Sequence, residues 1–161
     1  MTMIIDGTNG LTFNNATTQA SAGCVLQVVQ STTTTSTATT STSFVTGVLA
    51  ASITPKFSNS TILVFCSANM STGGANIQGA VTVYRGATNL MTQGQALVYS
   101  GGNAVLAPVS LMYSDSPATT SSTTYTIYFK NTNNSAGTVT FNSASASGAA
   151  TAQIILLEIA A

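Results

Sequence analysis

The sequence predicts an all-β protein: an antiparallel β-sandwich, jelly-roll-like, carrying a short N-terminal arm. Three observations predict it. Thr, Val, Ile, Ser and Tyr dominate the chain, and good helix formers at amphipathic helical spacing are nearly absent. β-branched runs are separated by Gly, Asn and Ser clusters, the pattern of strands and turns. After residue 23 there are about eight such runs at intervals of roughly 8–15 residues, and eight is the usual strand number of a jelly roll.

The elements follow in order. Residues 1–23 form the arm. Ile4 and Ile5 lead into a turn at Asp6-Gly7-Thr8-Asn9-Gly10, where glycine accepts positive φ without a steric penalty. Leu11 to Phe13 is a second short strand, and Asn14 to Gly23 runs polar and small. Two strands this short cannot bury themselves alone, so the arm is expected to dock or interlock with something. Residues 24–161 form the sandwich. Cys24 to Gln30 is its first strand. Ser31 to Thr42 is almost pure Ser and Thr, and fits either a low-complexity linker or a solvent-facing strand or long loop. Ser43 to Thr54 is a strand pair or a strand bulged around Gly47, and Pro55 to Ser60 is a turn. Thr61 to Met70 is continuously apolar, as in a strand covered on both faces.

Gly73-Gly74 turns the chain again. Ile77 to Tyr84 alternates and reaches a hairpin or bulge at Arg85-Gly86. Asn89 to Met91 and Gln95 to Tyr99 are short strands, followed by a turn at Gly101-Gly102-Asn103. Ala104 to Tyr113 contains Pro108, which marks an edge strand or a bulge because proline cannot donate to a ladder. Asp115-Ser116-Pro117 is a turn. Thr124 to Phe129, Thr138 to Phe141 and Ala152 to Ile159 complete the set.

Composition narrows the function. Of 161 residues 44% are hydrophobic, an ordinary fraction, but 4% are charged, against roughly 25% in an average protein. The charges are Lys56, Arg85, Lys130, Asp6, Asp115 and Glu158, and they sum to zero. Such a surface has no electrostatic steering and little colloidal repulsion, so a free monomer should be poorly soluble. It makes sense if much of it is covered by copies of itself or by other proteins. Three scattered cations cannot track a phosphate backbone, so nucleic acid is not an expected partner. No run of ~18 apolar residues exists, so no membrane insertion is expected. Met1 to Asp6 lacks a basic region and a long apolar stretch, so no secretory signal is expected either. Cys24 and Cys66 each sit in an apolar run and are expected to be buried and reduced.

Little in the chain supports catalysis. Without histidine there is no Ser-His-Asp or Cys-His apparatus and no ordinary zinc site. Acid–base chemistry would need a carboxylate pair from Asp6, Asp115 and Glu158. Asp6 and Asp115 fall in turns, where Asp bonds local backbone, and Glu158 lies in the last strand, placed to pair with a cation. We therefore expect no catalytic residues, no cofactor and no metal. Tyr84, Tyr99, Tyr113, Tyr125 and Tyr128 are able to stack on sugars, but cross-strand and core packing is the more ordinary use of tyrosine in a sandwich.

Several stretches carry a resemblance. Ile5 to Phe13 (IDGTNGLTF) followed by Ala16 to Gly23 (ATTQASAG) resembles a segment that recurs in tail-fibre and other virion proteins of tailed phages, those of cyanobacteria and other aquatic bacteria in particular. The body is similar to a family of small phage structural domains at Cys24 to Gln30 (CVLQVVQ), at Ile53-Thr54-Pro55 with Ser60 to Val64, and at Val83 to Gly86 (VYRG). The similarity continues at Asp115 to Thr120 (DSPATT) with Thr124 to Ile127, and at the ending Ile154 to Ala160. The resemblance implies a β-sandwich, a homotrimer and a place on the virion, and it brings no catalytic residues with it.

The expected role is thus a non-enzymatic structural component of a bacteriophage virion, made in the host cytoplasm: a short tail fibre or tail-associated protein. Its expected partners are two further copies of itself, other virion proteins of the tail, baseplate or capsid, and a host surface glycan. Trimerisation would bury apolar and Thr-rich faces that a monomer leaves wet. The loops near Gly73, Gly101 and Asn133 are the candidates for glycan contact. The competing readings are a capsid decoration protein, and beyond it a carbohydrate-binding module or a depolymerase.

Overall fold

A computed structural model describes residues 4–6, 10–12, 18–19, 25–133, 137–144 and 150–160, the backbone alone at residues 4–19 and at residue 96. In the N-terminal segment, β1 (Ile4–Asp6), β2 (Gly10–Thr12) and β3 (Thr18–Gln19) form a small antiparallel sheet in the order β1-β2-β3. Asp6 pairs with Gly10, and the turn predicted between them at residues 7–9 lies outside the described residues. The third strand arises within the polar stretch after Asn14, where the sequence predicts none.

The body contains β4 (Val25–Thr33), β5 (Thr37–Thr39), β6 (Val45–Ile53), β7 (Thr61–Thr72), β8 (Ile77–Arg85) and β9 (Thr88–Asn89). It continues with β10 (Gln95–Ser100), β11 (Val105–Asp115), β12 (Thr123–Asn131), β13 (Val139–Phe141) and β14 (Ala152–Ile159). One sheet runs β4-β14-β7-β13-β5 with β11 on the other edge of β7, and the second runs β10-β8-β12-β6 with β9 beside β8. Along one edge of β7, β14 pairs with Thr61 to Ser67 and β13 with Met70 to Thr72. β13 therefore prolongs the line of β14, and β5 that of β4, so each sheet is four positions wide. Numbering those positions along the chain gives sheet orders 1-8-3-6 and 2-7-4-5. This is the double Greek key of a jelly roll, and the predicted fold class is the observed one.

Period-two alternation builds the core. Ile62, Val64, Cys66, Ala68 and Met70 of β7 share one buried core with Tyr125, Ile127 and Phe129 of β12. The Phe129 and Phe141 rings stack at 5.7 Å between centroids. Two glycines make room for large neighbours: a Cβ at Gly47 would meet the Phe141 ring at 2.8 Å, and one at Gly79 would collide with the Met70 sulfur. Cys66 is buried and unpaired, and burial pushes its thiol up to about 12. Cys24 lies outside the described residues.

Several local expectations change. The Ser/Thr run is not a linker: β4 extends through it to Thr33, and β5 pairs with β13. Its alternate residues Ser31, Thr33, Thr37 and Thr39 are half-buried, so threonine's β-branched shape is used in a sheet rather than left in solvent. β6 is a bulged strand, with its register against β12 shifting across Gly47–Leu49. The bulge places Val48 at φ 53°, a left-handed conformation that strains a β-branched residue. Pro108 sits in β11, which pairs with β7 alone and is an edge strand. The strand expected at Asn89 to Met91 is Thr88–Asn89, ending before Leu90.

Candidate interaction surfaces

The carboxylates are structural rather than exposed. Asp115 and Glu158 both lie in register with Ile62, one strand away on either side, which sets them two strand spacings or about 9.6 Å apart. Asp115 does not sit in a turn as expected; it ends β11, buried, with Arg85 Nη1 donating to both its oxygens at 2.8 Å and the Tyr125 hydroxyl at 2.6 Å. Burial, and then the Asp115 carboxylate, push the Tyr125 phenol upward. The network ties β8, β11 and β12 together at one end of the sandwich.

Among the described residues Glu158 makes no ion pair, contrary to the expectation of a cation partner. Its side chain is out of contact with solvent, just beneath the exposed turn at 56–59. It accepts from the Gln27 amide at 2.6 Å and from the backbone N–H of Lys56 at 2.7 Å and of Phe57 at 3.4 Å. The Lys56 ammonium instead donates to the Leu26 carbonyl at 3.1 Å. Burial alone would raise the Glu158 carboxyl, but the surrounding donors, Ser60 first, outweigh it and hold the carboxyl below its ordinary value. The Ser60 hydroxyl is buried beside this group without completing a hydrogen bond of good geometry. Asp6 has no described side chain. Neither described carboxylate is free to hold a water or a substrate, and the arrangement closes one end of the sandwich.

The outer face of the six-stranded sheet has a different character. Residues paired in register share a face, so the ladders give rows across it. One row is Gln30, Ile155, Phe65 and Met112; the next is Val28, Leu157, Leu63 and Ser114; a third is Val25, Ile159 and Thr61. Val28 is 60% exposed and Met112 66%. Beyond them the rows become polar, as in Thr32, Gln153, Ser67 and Ser110. At the boundary a groove of about 390 Å³ is lined on this face by Phe65, Ser67, Ser110, Met112, Gln153 and Ile155. No residue of these rows is charged. The apolar run at Thr61 to Met70 is expected to be covered on both faces; within one chain the sandwich covers one, and the side bearing Leu63 and Phe65 is only half-buried.

The loops near Gly73, Gly101 and Asn133 meet at one end of the sandwich. Gly73 N–H donates to the Thr138 carbonyl at 2.7 Å, and Asn76 N–H to the Ser100 carbonyl at 2.6 Å. The Ser100 hydroxyl donates to the Gly74 carbonyl at 2.6 Å, and Asn133 Nδ2 to the Asn76 carbonyl at 3.1 Å. Tyr99 stands here, 54% exposed. Of the other tyrosines, Tyr125 is in the core, Tyr113 is half-buried, and Tyr84 and Tyr128 stack at 4.0 Å on the outer face of the five-stranded sheet. Sequence reasoning named the loops and the tyrosines but not the aliphatic rows. Their signal was present, because Ile62 to Cys66 and Ile154 to Leu157 are apolar at both parities.

No family model and no curated protein matches the chain. Among solved structures it is similar to one described as that of the infectious bursal disease virus Gx strain, at 11% identity and a TM-score of 0.37. That match covers 84% of this chain and 37% of the other, and at that score it carries no functional argument.

Proposed function

We propose that this protein is a structural subunit of a bacteriophage virion, a short tail fibre or tail-associated protein that acts as a homotrimer. The observation that carries the reading is the uncharged aliphatic face of a nearly charge-free jelly roll. Twelve residues of β7 at about 3.3 Å each and four strand positions at about 4.8 Å give a face of about 40 by about 19 Å. The whole face, aliphatic and polar rows together, is on the order of 760 Å², close to the roughly 800 Å² that each partner contributes to a standard interface. Contiguous apolar patches of several hundred Å² mark interaction sites. The occupant we assign is a second copy of this chain, because a neutral, hydroxyl-rich partner is what a face without charge accommodates at least desolvation cost. In a closed ring of three, each copy covers the next. No enzymatic activity forms part of this reading, since both described carboxylates are committed to holding the sandwich together.

The loop end, away from the aliphatic rows, is the part that meets the host. Immunogold labelling of particles released by lysis tests the location. Label at the tail tip is expected. Label over heads would transfer the protein to capsid decoration, and particles without label would contradict a virion role.

A further inference from the structure

The two outer faces of the sandwich differ in chemistry. The six-stranded sheet presents aliphatic rows; the five-stranded sheet presents rings, hydroxyls and amides. At the loop end of the second face, Tyr99 pairs in register with Gln78, and Thr132 N–H donates to the Gln78 carbonyl at 2.8 Å, so Tyr99, Gln78 and Thr132 form one row. Asn76 and Asn133 close it. The Tyr99 hydroxyl donates to Asn76 Oδ1 at 3.1 Å, and the Thr132 hydroxyl donates to Gln78 Oε1 at 2.6 Å and lies 3.1 Å from Asn133 Oδ1. Asn76 itself is held at φ 56°.

These bonds fix an exposed ring and leave donors over. Tyr99 is tethered at its hydroxyl, so its ring is already oriented before anything binds. Among the described residues the amide nitrogens of Asn76 and Gln78 donate to nothing. A pyranose presents a patch of C–H groups on one face and hydroxyls at its rim. An aromatic ring meets the first, and side-chain amides, with a donor and an acceptor side by side, meet the second. The nearest ionised group on this face is Lys130, whose ammonium lies 4.4 Å over the Phe44 ring. Nothing in the Tyr99 row favours an acidic sugar.

We propose that this row is a binding site for a neutral, pyranose-based glycan, with Tyr99 as the stacking platform and the amides of Asn76 and Gln78 as hydrogen-bonding groups. The proposal deepens the host-contact part of the function above, and its residues are separate from those of the assembly face. The test is binding of the whole protein to an immobilised panel of neutral hexose and N-acetylhexosamine oligosaccharides beside sialylated and uronic-acid oligosaccharides. Neutral members should bind. Tyr99→Ala and Gln78→Ala should each weaken binding about tenfold with the melting temperature little changed, while Phe65→Ser should leave the affinity per site as it was. Absence of binding to every neutral member at millimolar concentration would overturn the site. So would equal binding by Tyr99→Ala, or a preference for the acidic members. Because subunit mass is read separately, a trimer without sugar binding sinks this site alone, and sugar binding by a monomer sinks the assembly reading alone.

Discussion

At the scale of single residues, the six charges serve different ends. Arg85 and Asp115 spend theirs on each other, and Lys130 sits over an aromatic ring. Glu158 is the informative one, because its carboxyl is held below its ordinary value by hydrogen-bond donors rather than by a cation. A carboxyl with a lowered folded-state pKa contributes stability that is fully present above its ordinary value of 4.5 and is lost as pH falls through the folded-state value. Denaturant midpoints should therefore fall as pH drops from about 5 to about 3. Glu158→Gln should flatten that dependence. At neutral pH it should cost roughly 1.5–3 kcal/mol, since an amide NH2 would face the donors now satisfied by the carboxylate. A Glu158→Gln variant with the wild-type acid slope would show that another group governs it.

At the scale of elements, strand placement was legible and sheet context was not. Alternation and turn residues located most strands of the body, and Pro108 was read as an edge or bulge signal and sits on an edge strand, because these depend on local backbone chemistry. The Ser/Thr run was ambiguous because threonine suits solvent and strand alike; pairing with β13, a hundred residues later, decides it. Asp115 was placed in a turn because Ser116-Pro117 follows it, and its real partner, Arg85, is thirty residues away. For the loop site, the sequence indicated which turns to watch, but the convergence of Asn76, Tyr99 and Asn133 belongs to the topology. The Val48 bulge offers a test at this scale. A left-handed β-branched residue is strained, and glycine removes the strain at a smaller entropic cost, so Val48→Gly should stabilise the fold by about 0.5–1 kcal/mol in chemical denaturation. Destabilisation of that size would mean that the exposed Val48 side chain makes a contact worth more than its backbone strain.

At the scale of the whole molecule, the jelly roll satisfies one side of each strand and leaves the other side of its larger sheet unsatisfied. Leu63 and Phe65 of β7 and Ile155, Leu157 and Ile159 of β14 add an apolar outer side to the apolar inner side of the same strands, so these stretches encode two covers where one chain supplies one. Low charge fits the same picture, since the absence of like charges removes the repulsion that would keep copies apart. Two changes on the open face, Phe65→Ser and Met112→Ser, should loosen assembly while leaving the strand content intact, because both side chains point away from the core.

Light scattering on a sizing column, across a range of concentrations, addresses this face most directly. The wild type should elute at three times its 16.2 kDa chain mass, and the Phe65→Ser, Met112→Ser double variant as single chains. A wild type that stays at 16.2 kDa at every concentration, well folded and soluble, would contradict the assignment of the aliphatic face to a second copy of the chain.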